Sequence, residues 1–142
     1  MMISTKGRYA LRVMIELAEQ PARGFVPLQE IAEHQKISKE YLNNILKVLV
    51  ASGHLSSLRG KGGGYCLAKS PDTCCVGDIL KAVEGDISPV SCTQENNICP
   101  NSYHCRTYPM WQALNEVIGD FLGHVYLSDF LAGGRFYEKQ DP

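Results

Sequence analysis

Three cysteines in one polar stretch are the residues of this chain best suited to chemistry. Cys92, Cys99 and Cys105 are spaced C-x6-C-x5-C within Cys-Thr-Gln-Glu-Asn-Asn-Ile-Cys-Pro-Asn-Ser-Tyr-His-Cys. The stretch has almost no apolar periodicity, so packing offers little to offset the entropy of ordering it. A metal centre or a disulfide would fix it instead. Three thiols supply three ligands to a centre that ordinarily takes four, whether a 2Fe–2S cluster or a zinc ion in a Cys3His site. The spacing lacks the short C-x2-C hooks of zinc knuckles, which favours the 2Fe–2S cluster over zinc. A metal-free thiol switch that uses the same cysteines as disulfide partners is the further alternative. The fourth position has three candidates: Tyr108, His104 or an external group. Tyr108 stands three residues beyond Cys105, within reach of one helical turn, whereas His104 adjoins Cys105 and neighbouring residues rarely converge on one ion.

The other cysteines read differently. Cys66 alternates inside an expected strand and suits a small buried hydrophobe. Cys74 and Cys75 are adjacent, which suits neither a mutual disulfide nor joint ligation of one metal. Structural roles are expected for both, with a reactive thiol at the start of a short helix as the alternative.

The elements that must position this loop are helical on both sides. Residues 4–20 read as a helix that Ser4 can cap, with Leu11, Met14, Leu17 and Ala18 at helical spacing. Pro27 suits a first helical position, and Leu28, Ile31 and Ala32 mark a short helix to about Gln35. Ser38 then caps a second helix carrying Leu42, Ile45, Leu46 and Leu49 inward and ending near Gly53. Two short helices joined by a tight turn, the second polar on its outer face, make a helix-turn-helix pattern. The strand 55–59, the glycine-rich loop 60–64 and the strand 65–68 add a β-hairpin wing with Arg59 and Lys61 near its tip. No Walker-type Gly-Lys-Ser/Thr follows those glycines and no helix opens after them, so nucleotide binding is not expected.

Past the wing, residues 76–83 form a short helix stopped by Gly85. From Pro109 onward Trp111, Leu114, Ile118, Phe121, Leu122 and Val125 mark one long apolar stripe. Gly123 interrupts it at a cost of about 1 kcal/mol. Ser128 caps a closing helix over 129–132. A helix this long, emerging after a polar loop, exposes a large apolar face on a monomer, and two-fold pairing would bury it.

Charge separates the halves. Residues 1–70 hold ten Lys/Arg against five Glu, a balance of +5, whereas 71–142 hold four against ten Asp/Glu, a balance of −6. The basic half suits a polyanion, and a double-stranded DNA operator is the partner expected. On the second helix Lys39, Glu40, Asn43, Asn44 and Lys47 face outward, with Asn suited to adenine and Lys or Ser to phosphates. Arg59 is placed to enter a narrow minor groove. Hydrophobic content of 44% and charge content of 20% are those of a globular protein. No apolar run is long enough to span a bilayer, and the N-terminus lacks the apolar core of a signal peptide. A cytoplasmic protein with neither membrane nor small-molecule substrate is therefore expected, where six cysteines point to metal or redox chemistry.

Five segments carry a resemblance: Ser4-Thr-Lys-Gly-Arg-Tyr-Ala-Leu-Arg12, Ile37-Ser-Lys-Glu-Tyr-Leu42, Leu58-Arg-Gly-Lys-Gly-Gly-Gly-Tyr65, Val76-Gly-Asp-Ile-Leu80 and Cys92…Cys99…Cys105…Trp111. With them the chain resembles, over nearly its full length, the winged-helix regulators typified by the iron–sulfur cluster regulator IscR, with NsrR and CymR as relatives. The resemblance implies a dimeric transcription factor, and in many such proteins the three cysteines hold a cluster. It puts Ser38, Tyr41, Asn43, Asn44 and Arg59 at DNA-contacting positions. This chain departs from the cluster-assembly regulators at Asn43, where they carry Glu, and at Tyr108, where they carry His. Nitric-oxide sensors of the family use an acidic residue of the partner's first helix, where this chain has Arg8.

The expected architecture is mostly α with a small β-hairpin wing: a winged helix-turn-helix over 1–84, a cysteine-bearing sensor loop over 85–108, a dimerisation helix with its closing helix over 109–132, and a tail over 133–142. The expected function is a DNA-binding transcription regulator controlled by a 2Fe–2S cluster, not an enzyme. A thiol/disulfide-switch regulator, or an iron–sulfur carrier or small redox protein, are the alternatives.

Overall fold

A computed structural model describes residues 3–97, 99–134 and 136. Among the described residues, six helices and one hairpin follow each other as α1 (Thr5–Glu19), α2 (Leu28–Gln35), α3 (Lys39–Ala51), β1 (Leu55–Leu58), β2 (Gly64–Leu67), α4 (Val76–Glu84), α5 (Tyr108–Gly123) and α6 (Leu127–Leu131). Short 3-10 turns intervene at Pro21–Arg23, Pro71–Thr73 and Ser91–Thr93. Of the tail expected over 133–142, only residues 133, 134 and 136 lie within the described residues.

The helices form where apolar residues recur at helical spacing. In α1 the buried set is Gly7, Ala10, Val13, Met14, Leu17 and Ala18; in α3 it is Leu42, Ile45, Leu46 and Leu49. Ser38 caps α3 as expected, its hydroxyl accepting from the Tyr41 amide at 3.2 Å. Met14, Ile31, Leu42, Ile45, Leu46, Leu49 and Ile79 meet in one fully buried core. Each side chain of this size contributes about 1.5–3 kcal/mol by leaving water. The core therefore binds α1, α2, α3 and α4 into one head.

The hairpin pairs Leu55 with Leu67, Ser56 with Cys66, Ser57 with Tyr65 and Leu58 with Gly64. Val26, just before α2, exchanges both backbone bonds with Tyr65 at 2.9 Å, adding a one-residue third strand. That approach needs glycine at position 64, where a Cβ would lie 2.1 Å from the Val26 carbonyl oxygen.

Several local expectations change in the folded chain. Ser4 makes no side-chain cap on α1, because its hydroxyl is bonded to Glu84 instead. Pro27 is the N-cap of α2 rather than its first helical residue. Gly123 ends α5, and Val125 lies beyond that helix, where its carbonyl accepts from the Val76 amide at 2.8 Å. The helix α6 begins after Tyr126, whose amide donates to the Asp129 carboxylate at 2.8 Å, so Ser128 is not its cap. Most consequentially, Leu127 of α6 is fully buried in the head core. The end of the described chain thus returns to close a core that the sequence assigned to residues 1–84.

Candidate DNA-binding face and cysteine loop

The outer face of α3 and the hairpin flank one groove of about 420 Å³. Asn43, Lys47 and Arg59 line it with Val50, Ala51, Leu58 and Tyr65. Helix and wing therefore bring a carboxamide, an ammonium and a guanidinium to one surface, with an apolar floor. Lys47, Leu58 and Arg59 are exposed, and Lys61 is exposed further along the loop between the strands. Ser38, Tyr41 and Asn44 do not line this groove. Ser38, the cap of α3, and Asn44 on the helix are exposed, whereas Tyr41 is half-buried with its ring edge-on to Tyr9 at 6.1 Å and 83°. The Arg12 guanidinium lies 4.9 Å over the Tyr9 ring and donates to the Gln35 side chain at 2.9 Å. The edge-on packing of Tyr41 on Tyr9 holds α3 against α1.

The cysteine loop is built by polar staples. Asp86 accepts from the Ser88 amide at 2.7 Å and the Glu95 amide at 3.0 Å. The Ser88 side chain first, then the Ser88 and Glu95 amides, hold its carboxyl below the usual carboxylate range. The Ser88 hydroxyl donates to the Thr93 carbonyl at 3.2 Å, and the Asn97 amide group to the Ser91 carbonyl at 2.8 Å. Hydrogen bonds thus order part of a stretch for which a metal or disulfide alone had been the expected fastening.

Cys92, Cys99 and Cys105 are free and half-buried. A cleft of about 150 Å³ brings Cys92 beside Tyr108, with Gln112, Asn115 and Glu116 of α5 around them. Cys105 sits just ahead of α5, its sulfur 3.3 Å from the Thr107 hydroxyl. That hydroxyl first, and then the Thr107 and Tyr108 amides, pull the Cys105 thiol below its ordinary value. A thiolate is the form that ligates metal or attacks a disulfide. His104 is exposed in the turn before Cys105. Among the described residues no three His, Cys, Asp or Glu side chains stand close enough together to hold a metal ion. The donor set suits a thiolate-bound centre, but the ligands are not assembled around one point.

The outlying cysteines have protein partners. Cys74 is buried in the head core, and burial pushes its thiol up. The Cys75 sulfur lies 3.4 Å from the Leu122 carbonyl oxygen and 3.5 Å from that of Gly123, tying α4 to the end of α5. Cys66 is half-buried opposite Ser56. No helix among the described residues is long and apolar enough to cross a membrane.

Residues 3–133 match the Rrf2 family, described as iron-dependent transcriptional regulators. The chain belongs to this family. It is 37% identical over 131 residues to the HTH-type transcriptional regulator IscR of Erwinia tasmaniensis, a match spanning 92% of this chain and 79% of that one. Among solved structures, IscR of T. potens is 32% identical with a TM-score of 0.75, covering all of this chain and 93% of the other. The global cysteine regulator CymR of B. subtilis is 34% identical with a TM-score of 0.71, covering 95% and 99%. As an Rrf2 member the chain is a winged-helix transcriptional regulator, not an enzyme. The resemblance read from five sequence segments is therefore correct.

Sequence reasoning missed three contributors around the loop. Thr107 acts on Cys105, Asp86 staples the loop, and Glu84 leaves the end of α4 for the start of α1. A carboxylate on each side of Gly85 was the available signal, but its partners are up to 80 residues away.

Proposed function

We propose that this regulator works as a cytoplasmic homodimer whose operator affinity depends on a 2Fe–2S centre held by Cys92, Cys99 and Cys105. In this reading residues 1–84 supply the head that meets DNA, 85–108 the sensor, and 109–132 the pairing surface. The observation that carries it is the pairing of two features in one chain. A helix–wing groove lined by Asn43, Lys47 and Arg59 stands on the basic half. Three half-buried free thiols stand on a loop further along the chain, one of them held towards the thiolate. IscR is the name borne by several relatives, which supports a cluster as the centre.

Asn43 and Asn44 read base edges in the major groove, Ser38, Tyr41 and Lys61 hold phosphates, and Arg59 enters the minor groove. Met110, Leu114, Val117 and Phe121 pair two copies, which sets two heads on a palindromic site. The three cysteines supply thiolates, and a bound cluster would supply a redox- and ligand-sensitive iron centre. Tyr108, beside Cys92 in the cleft, is the favoured fourth ligand over His104. The chain's own residues convert the sensor's state into DNA affinity by reordering the loop that leads into α5.

Anaerobic purification followed by a visible spectrum and iron and sulfide analysis tests the centre. Zinc in place of iron would overturn the cluster, as would a metal-free protein with a reducible disulfide. Operator selection followed by binding of Arg59→Ala tests the head. Equal affinity of the variant and wild type, or steady affinity from low to high salt, would refute the reading residues.

A further inference from the structure

The last residue of α4 reaches back to the first turn of α1. One carboxylate oxygen of Glu84, Oε1, accepts from the Ser4 amide at 3.0 Å, the Ser4 hydroxyl at 2.5 Å and the Gly7 amide at 2.9 Å. First-turn amides have no partner within their own helix, and a negative charge there meets the positive end of the helix dipole. The cap of α1 is therefore a side chain delivered from α4. It fits closely, since a Cβ on Gly7 would lie 2.4 Å from Oε1.

Immediately after Glu84 the chain turns at Gly85, with φ of 81°. The next residue, Asp86, binds the Ser88 and Glu95 amides and so holds the two sides of Cys92 together. Two carboxylates separated by one glycine thus grip two different parts of the molecule. Glu84 grips the helix that carries Tyr9, and Asp86 grips the cysteine loop. From Tyr9 the contact continues edge-on to Tyr41 of α3.

We propose that Glu84, Gly85 and Asp86 form the joint through which the state of the cysteine loop reaches α1 and the DNA-reading helix, with Glu84 as its positioning residue. This rests on the reading of the loop as the sensor. Asp86 is bonded to the chain on both sides of Cys92, so a change of state at that thiol acts directly on the segment that Asp86 holds. Helices α1 and α4 move as packed bodies, and the glycine turn between the two carboxylates takes up or passes on that motion. A shift of Glu84 strips the Ser4 and Gly7 amides of their acceptor, which makes the position of α1 answer to the loop.

Operator affinity is measured in two states of the full-length protein: reconstituted anaerobically with ferrous iron and sulfide, and stripped by a chelator. Wild type should differ between the states by about tenfold, a usual size for allosteric coupling. Glu84→Ala and Gly7→Ala should each bring that ratio to within about twofold. Both should keep the wild-type visible absorbance and helical circular dichroism. Ser4→Ala, which removes only the hydroxyl bond, gives an intermediate ratio and guards against misfolding of the glycine variant. A purely structural role predicts weaker binding in both states with the ratio intact, and that result overturns the joint. If wild type itself binds equally in both states, the sensing reading fails, and amide exchange decides the joint separately. Exchange at Ser4 and Gly7 should change when the loop is stripped or its thiols are alkylated. Unchanged exchange in wild type refutes the joint whatever the DNA result.

Discussion

Helices α3 and α5 carry similar apolar stripes and meet opposite fates. The 13 residues of α3 send Leu42, Ile45, Leu46 and Leu49 into the head core. The 16 residues of α5 bury none of their side chains. Trp111, Ile118 and Leu122 are half-covered, while Met110 (54%), Leu114 (39%), Val117 (63%) and Phe121 (45%) remain exposed. Apolar periodicity announces that a face will be covered, and it does not say by what. For α3 the cover is the rest of the head. For α5 the chain provides half of it, and a second copy is the proposed remainder.

The sharpest separation between head and loop comes from the cysteines. Cys92→Ala, Cys99→Ala and Cys105→Ala should each abolish the visible absorbance of the reconstituted protein, since each removes one ligand. Cys66→Ala and Cys75→Ala should leave the spectrum unchanged. A spectrum that survives loss of Cys92 would break the proposed ligand set.

Pairing is the next largest effect. Phe121→Glu should turn dimers into monomers, because it places an uncompensated charge inside an apolar interface. Sedimentation that still shows a dimer would assign the exposed face of α5 to something other than self-association. In that same monomeric background, Leu46→Ala should cost about 2–5 kcal/mol of stability, the range for truncating a buried leucine. Leu114→Ala should cost less than about 0.5 kcal/mol there, as an exposed site does. Equal losses on urea unfolding would erase the distinction between the two helices.

Within the DNA-reading face, Asn44→Ala should cost about 1–3 kcal/mol at one operator position and relax the base preference there. A uniform loss across all positions would make Asn44 a phosphate contact instead. The smallest expected effect is that of His54, which is buried in the head just before β1. Burial first, helped by Lys69, lowers its imidazole below the ordinary 6.5. The unfolded chain therefore takes up the proton first as pH falls. The contribution is complete above about pH 6.5 and is lost as pH falls through that value towards the folded one. Urea unfolding between pH 5 and 8 should show a shallower acid loss for His54→Asn than for wild type. Parallel curves would mean that His54 binds its proton equally well in the folded and unfolded chain.

Much of this protein follows from local sequence alone. The helices of the head, the Ser38 cap and the hairpin are legible because each depends on residues within a few positions of each other. Apolar spacing, one hydroxyl and a run of glycines suffice. The five segments with family resemblance likewise settle membership, because they combine turn, cap and cysteine spacing in one order. What depends on distant partners was not legible. The replacement of the Ser4 cap by Glu84, the entry of Leu127 into the head core and the bond from Val76 to Val125 all require residues far apart in the chain to meet. The same holds for the groove that joins Asn43 and Lys47 to Arg59, and for the cleft that sets Cys92 beside Tyr108. Spacing along a chain fixes which side chains share a helix face. Only the packing of helices against each other decides which faces become core, which carboxylate becomes a cap, and which thiols lie within reach of one another.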